Sequence, residues 1–268
     1  MMRLPFTQVD AFADRPFTGN PAAVITLENW LEDAVLQAIA AENNLSETAF
    51  IIPDASGAAD YGLRWFTPTV EVALCGHATL AAGHAVLEQQ PERQRVLFST
   101  VEAGLLEVSR SGDSYAMVLP NWAATPRPLP ELAAALGGPV QETLWHGKRY
   151  AVFVFPDAAA IAALQPDFAA LKAHGDILII ATAPGAGSSY DADVVSRAFA
   201  PGGGIDEDPV TGSAHCAITA YWCERLGRSS FTAYQASARG GYVGCELAGD
   251  KVVLTGRAVT VITGTMTI

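Results

Sequence analysis

The sequence predicts an α+β fold of two pseudo-symmetric lobes, each a curved, mostly antiparallel, barrel-like sheet rolled around one central helix. Three observations lead there. Short β-branched and aromatic runs separated by turn residues fill most of the chain, with few helical stretches among them. Two of those stretches, ATLAAGHAVL and AHCAITAYWC, are apolar on nearly every side; a surface helix would show a polar face, so these have to be wrapped. The segments leading into them also read alike, RWFTPTVEVALCGHAT at 64–79 and RAFAPGGGIDEDPVTGSAHC at 197–216. Setting Pro68 on Pro201 aligns Arg64 with Arg197 and Phe66 with Phe199. A three-residue insertion then brings Glu71 onto Glu207 and Cys75-Gly76-His77-Ala78 onto Thr211-Gly212-Ser213-Ala214.

Taken in order, strands are expected at FTQVDAF, at AAVITL after the turn DRPFTGNP, and at ETAFII, YGLRWFT, RVLFST, GLLEVS and SYAMVL. Their Val, Ile, Phe and Thr suit a pleated, half-buried surface, and Gly, Pro, Asn and Asp mark the turns between them. Helices are expected at WLEDAVLQAIAAENN and GHATLAAGHAVLEQQ. The Pro-rich passage LPNWAATPRPLPELAAALG weakens both signals and reads as the link between lobes. The N-terminal lobe thus spans 1–122, with its central helix near 76–89. The C-terminal lobe, 123–268, repeats the order: helix ELAAALG, strand RYAVFVF, helix DFAALKAHG, strands DILIIAT and DVVSRAF, and a central helix near 212–226 in TGSAHCAITAYWCERLG. FTAYQ, GYVGCEL, KVVLTG and AVTVITGTMTI complete it, the last strand placed to pack back on the first lobe.

Composition narrows the function. A chain of 268 residues is long enough for two domains with separate cores. Half of it is apolar, yet no run approaches the roughly 18 consecutive apolar residues of a membrane helix, so no membrane partner is expected. MMRLPFTQVDAF lacks the basic segment, apolar run and cleavage site of a secretory leader, which makes the cytoplasm the expected compartment. A formal charge of −12 without a Lys/Arg cluster would repel a phosphate backbone, which excludes nucleic acid as a partner. Cys75, Cys216, Cys223 and Cys245 form no CxxC pair and have no His-rich company. Free thiols are expected, with neither a disulfide framework nor a metal site.

Chemistry is expected at the starts of the central helices. A helix N-terminus offers about four unpaired N–H groups and a partial positive charge, which suits an anion. Gly76 and Gly212 leave room for a ligand at the backbone. If the lobes face each other across an approximate two-fold axis, both starts serve one cleft. His77 lies in a first turn, where the dipole disfavours the protonated ring; it is a neutral acid–base group there, or simply packs. Asp208 is an acid–base candidate or a solvated loop carboxylate, and Ser213 binds ligand or caps its helix. Cys75 is a reactive group or an ordinary buried thiol. Glu47, in NNLSETAFI, lies where a helix gives way to a strand, and spacing alone makes it a polar strand-edge residue.

QVDAFADRPFTGNPAAVI, NLSETAFI, RWFTPTVEVALCGHATLAAGH and DEDPVTGSAHC, in that order over nearly the whole chain, resemble the PhzF-like family, called after a phenazine-biosynthesis isomerase. The resemblance implies the diaminopimelate-epimerase type of fold, a cleft between the lobes, a homodimer, and no metal or organic cofactor. It places the family's catalytic glutamate on Glu47, its motif histidine on His77, its motif aspartate on Asp208 and its motif serine on Ser213. Gly76, Thr211, Gly212, Ser213 and Asn20, the last within the first motif, are assigned to substrate binding. Epimerases of this fold use two thiols, one at each helix start. Here the first start has Cys75 and the second Thr211, an unactivated hydroxyl, so racemisation by two thiols is not expected.

The expected activity is a cofactor-independent proton shift on a small carboxylate-bearing metabolite. Glu47, shielded from water, takes a proton from a carbon activated by conjugation and returns it elsewhere on the same π-system. His77 and Asp208 hydrogen-bond the substrate and help move the proton, while helix-start N–H groups and Ser213 hold its carboxylate. Two readings compete: a small-molecule binding protein without turnover, and an epimerase using Cys75 with a non-thiol partner.

Overall fold

A computed structural model describes residues 1–268 and places a strand or a helix at every stretch singled out above. In chain order these are β1 (Arg3–Ala11), β2 (Asn20–Thr26), α1 (Asp33–Asn43), β3 (Glu47–Pro53), β4 (Tyr61–Phe66), the two-residue β5 (Glu71–Val72), α2 (Gly76–Gln89), β6 (Arg95–Thr100), β7 (Leu105–Ser111) and β8 (Ser114–Pro120). Then follow β9 (Thr125–Pro126), α3 (Pro130–Leu136), β10 (Glu142–His146), β11 (Tyr150–Val154), α4 (Ala158–Ala162), α5 (Phe168–Ala173), β12 (Leu178–Pro184), β13 (Val194–Ala200), β14 (Ile205–Asp208), α6 (Gly212–Leu226), β15 (Ser230–Gln235), β16 (Gly241–Ala248), β17 (Lys251–Gly256) and β18 (Ala258–Thr267). The sequence reading passed over the short strands β5, β9, β10 and β14, and also α4. The last had a local signal, since the Asp157 side chain caps it by accepting the Ala160 N–H at 2.8 Å ahead of an alanine run.

The chain divides into Met1–Val118 with Thr255–Ile268, and Leu119–Leu254. The C-terminal strand β18 belongs to the first unit because it runs antiparallel along β1 from Arg3↔Thr267 to Ala11↔Ala258. Within each unit the same connections recur. In the first, β2 crosses over α1 to its parallel neighbour β3, β3 turns antiparallel into β4, and β4 crosses over α2 to parallel β6, which turns antiparallel into β7. In the second, β11 crosses over α4 and α5 to parallel β12, β12 turns antiparallel into β13, and β13 crosses over α6 to parallel β15, which turns antiparallel into β16. The repeat legible at two sequence segments is therefore a repeat of whole topology.

The central helices are wrapped as their composition requires. In α2 every residue from His77 to Leu87 is buried, against β1, β2, β3, β6, β7 and β18. In α6 burial covers Gly212, Ala214 through Thr219, Trp222 and Cys223. The outer face of each sheet is covered separately: α1 packs Leu36, Ile39 and Ala40 over Ile25, Phe50 and Phe66, and α3, α4 and α5 pack Leu136, Ile161 and Leu171 over Phe153, Ile179 and Phe199. No helix is long and apolar enough to cross a membrane.

One arginine in each unit ties these layers together. Arg64 grips Glu71 with two hydrogen bonds of 2.7 Å, lies over the Phe66 ring, and reaches Asp33 in the first turn of α1 at 2.9 Å. Arg197 grips Glu207 at 2.7 and 2.8 Å, lies over Phe199, and donates to the Leu164 carbonyl at 2.9 Å beyond the end of α4. The shared Arg-x-Phe motif is thus a fork that fixes the loop entering each central helix to a strand and to an outer helix.

Close packing of α2 on β7 depends on Gly83, where an added Cβ would collide with the Cβ and both γ-carbons of Val108. Gly83→Ala is expected to lower stability by about 1–3 kcal/mol, the usual cost of overfilling a packed core. Urea unfolding measures this, and adding Val108→Ala to the same chain should restore part of the loss.

Candidate active site

β2, β3 and α2 bring the first cluster together. The turn before β2 is closed by the Asp10 carboxylate, which accepts the Phe17 N–H at 2.7 Å, and by the Thr18 hydroxyl, which donates to the Arg15 carbonyl at 2.8 Å. Gly19 has φ +65°, and a Cβ there would collide with the Ala11 carbonyl, so glycine alone completes the turn. It delivers Asn20, fully buried, to the start of β2. Glu47 starts the neighbouring strand β3, opposite Ala22. Ser46 donates to Asn20 Oδ1 at 3.0 Å, and Asn20 Nδ2 donates to His77 Nδ1 at 3.1 Å. His77 Nε2 approaches Glu47 Oε2 at 3.0 Å. The pair is close but not aligned as a hydrogen bond; Oε2 is buried and has no hydrogen-bond partner, in a side chain 12% exposed. Cys75, the N-cap of α2, puts Sγ 3.5 Å from His77 Nδ1.

The electrostatics differ from the sequence expectation at one point. Burial works against charge on His77, but Cys75 and Glu47 outweigh it, and its pKa is raised well above that of an ordinary histidine. The sequence reading weighed the helix dipole, which favours a neutral ring, without a carboxylate at 3.0 Å. Burial, and after it the charge of Glu47, push the Cys75 thiol up to about 11.

The second unit builds its own cluster at α6. Asp208 ends β14 and Thr211 is the N-cap of α6, with the Thr211 hydroxyl donating to Asp208 Oδ2. Gln235, wholly buried at the end of β15, donates to the Asp208 carbonyl at 2.7 Å and to the Thr211 hydroxyl at 3.1 Å, and accepts the Thr211 N–H at 2.8 Å. One amide thereby ties both ends of the turn from Asp208 to Thr211. Ser213, in the first turn of α6, makes no cap hydrogen bond; burial, foremost, raises the Tyr150 phenol, and Ser213 opposes it. Neither α2 nor α6 has a side-chain cap hydrogen bond.

Strand register shows how the copies diverged. Arg64 pairs with Phe50 and Arg197 with Ala181, so Glu47 in the first unit corresponds to Leu178 in the second. Val72 pairs with Trp65 and Asp208 with Ala198, so the second unit has its carboxylate where the first has valine. Each unit therefore carries one of the two acidic groups, in non-equivalent places.

Residues 9–264 match the family described as phenazine biosynthesis-like protein, PhzC-PhzF. The chain belongs to this family. An isomerase of Pseudomonas aeruginosa, itself called uncharacterized, is 47% identical over 266 residues, which cover 99% of each chain. The crystal structure of a PhzF-family protein from Enterococcus faecalis superposes with a TM-score of 0.90 at 42% identity, covering the whole of both chains. A hydroxyproline epimerase from Agrobacterium vitis shares the fold, with a TM-score of 0.63 at 12% identity over 98% of this chain and 92% of that one. The PhzF-like resemblance and the epimerase-like fold expected from sequence are thus both found.

The fold groups Asn20, Glu47, Gly76 and His77 within the first unit and Asp208, Thr211, Gly212 and Ser213 within the second. Asn20, expected at the substrate, hydrogen-bonds Ser46 and His77. Sequence reading missed Gln235, Tyr150 and Ser46, which join the sites only through folding. It also missed His215. Where the Thr79 hydroxyl donates back to the Cys75 carbonyl at 2.6 Å, His215 Nδ1 donates to the Thr211 carbonyl at 2.8 Å. Burial, against a smaller opposing effect of that carbonyl, lowers His215 from 6.5 to about 4.

A histidine lowered on folding stabilises fully above its unfolded pKa and loses that contribution as pH falls from about 6.5 toward 4. At 1.36 kcal/mol per unit, the loss between pH 6.5 and 5 is about 2 kcal/mol. His215→Thr, which carries the first unit's residue at this place, is expected to shrink the difference in unfolding free energy between pH 7 and pH 5 by about that amount. Urea unfolding of both proteins at the two pH values checks this.

Proposed function

We propose that this PhzF-family isomerase shifts a proton between carbons of a small conjugated carboxylate without a cofactor, with Glu47 as the base. The reading is carried by Glu47 Oε2, a buried carboxylate oxygen without a hydrogen-bond partner, 3.0 Å from an imidazole nitrogen. A nearly buried carboxylate held beside an imidazole is the pairing that general acid–base work at a substrate C–H uses. Glu47 takes the proton, the freed electron pair spreads into the π-system and its carboxylate, and the proton returns to another carbon, so substrate and product hold the same atoms. His77 steadies the Glu47 carboxylate, and Asn20 holds His77. The helix starts are each assigned to substrate binding, Gly76 in the first unit and Thr211, Gly212 and Ser213 in the second, through N–H and hydroxyl groups that suit a carboxylate. Asp208 is assigned to a substrate amino or hydroxyl group. A cytoplasmic homodimer completes the proposal, and sedimentation as a pure monomer would remove that part.

A Cys75 epimerase is the weaker reading. With its thiol pushed up to about 11, only about one molecule in ten thousand carries the thiolate at neutral pH. Interconversion of amino- and hydroxy-substituted cyclic carboxylates, followed by NMR, tests both readings. Glu47→Gln is expected to lower kcat/KM by about 10²- to 10⁴-fold, and Cys75→Ser by less than about tenfold. The reverse order would exchange the base for the thiol, and binding of a panel member without any conversion would favour a binding protein. Asp208→Asn is expected to raise KM for an amino-bearing substrate more than it lowers kcat, and unchanged kinetics would remove its role.

A further inference from the structure

The two units differ in what their strands bring to the central helix, and the second brings a cation. Ala22 pairs with Glu47 and Tyr150 with Leu178, and Leu178 is the counterpart of Glu47, so Tyr150 stands where the first unit has Ala22. Two positions earlier in the chain the first unit carries Asn20, the partner of His77, and the second carries Lys148. We infer that Lys148 is a specificity-determining residue that draws the substrate's carboxylate to the start of α6, a role that rests on the proposed carboxylate substrate.

Lys148 is exposed and lies on an aromatic cluster. Its Nζ is 5.3 Å from the centroid of the Trp122 ring, and it joins none of the chain's ion pairs. Trp122 is buried, its N–H donates to the Cys216 carbonyl of α6 at 3.3 Å, and its ring meets Tyr150 edge-on at 5.5 Å. Tyr150 connects the cluster to the first turn of α6, where Ser213 acts against the rise that burial causes in its phenol. The turn that carries the lysine, Gly147 to Arg149, links His146 to its pair Tyr150 and is fixed on both sides. The Lys148 N–H donates to His146 Nδ1 at 3.3 Å, the Arg149 N–H donates to the His146 carbonyl at 3.0 Å, and the Arg149 carbonyl accepts the Leu178 N–H at 3.1 Å. Those bonds hold Arg149 at φ +65°, a conformation that residues other than glycine rarely adopt. Charge supplies the reason for such a turn. The chain has a net charge of −12, Glu47 and Asp208 are both acidic, and Arg64 and Arg197 are committed to Glu71 and Glu207. A carboxylate ligand therefore needs a cation that is not already paired, and a lysine on the face of an aromatic ring keeps its charge while the ring replaces part of its water.

Lys148→Met keeps an apolar stem over Trp122 and removes only the charge, so a lysine that merely covers the ring would not be missed. Ligand-observed NMR titrations of the full-length protein compare benzoate with benzamide, which has the same ring and no charge. The wild type is expected to prefer benzoate. Lys148→Met is expected to lose about fivefold in benzoate affinity, the upper end for an exposed ion pair, and nothing for benzamide. Lys148→Arg should keep most of the preference, and added salt should shrink it in the wild type. Benzamide is the internal control, because a variant that fails to fold loses both ligands; Lys148→Gln then takes the place of Lys148→Met. An unchanged preference for benzoate in the folded variant would overturn the role of Lys148 and leave the carboxylate reading standing. A wild type that binds acid and amide alike would overturn both. Since binding is read without turnover, the activity of Glu47→Gln bears on the base alone.

Discussion

A helix that is apolar on every side persists in water only when other elements surround it, and here strands do the surrounding. In α2 eleven consecutive residues are buried, and each large apolar side chain among them, such as Leu80, Val86 and Leu87, contributes about 1.5–3 kcal/mol by leaving water. That requirement bends the sheet around the helix and brings β7 close enough to demand Gly83. Cys75, Gly76 and His77 sit at the start of this helix, whose following residues are committed to packing.

The two Arg–Glu forks convert this packing solution into two positioned helix starts. Each fork joins a strand, the loop entering the central helix and an outer helix or its end, in the same geometry in both copies. With the scaffold held so alike, the remaining positions diverged. Glu47 faces a counterpart in Leu178, Val72 in Asp208, His77 in Ser213 and Cys75 in Thr211. A symmetric pair of thiols is absent because the second copy holds a hydroxyl there, bonded to Asp208 and fixed by Gln235. The first copy instead gains a carboxylate beside its imidazole, the combination from which a proton transfer at carbon can be built.

Much of the fold was legible in the sequence because its signals are local. Apolar, β-branched and aromatic runs between turn residues mark β1 to β4, all-round apolarity marks α2 and α6, and the Arg-x-Phe repeat marks the duplicated fork. Short β10 was not legible, since its residues Glu142–His146 mix charge and aromatics and become a strand only by pairing with β11. The site was less legible for the same reason. Nothing near Glu47 in sequence says that a parallel crossover over α1 will set it beside His77, so only the family resemblance singled it out. The raised pKa of His77 depends on that same contact. Gln235 reads as an unremarkable strand end until the loop from Asp208 to Thr211 folds onto its amide.

The measurement that bears most directly on Glu47 as the proton-transferring base is solvent deuterium incorporation during turnover in D₂O, followed by NMR and mass spectrometry for wild type and Glu47→Gln. If Glu47 is the base, the wild-type product carries deuterium at the carbon that gained the proton, and the variant exchanges none on the same timescale. Deuterium entering that carbon equally fast in both proteins would contradict it.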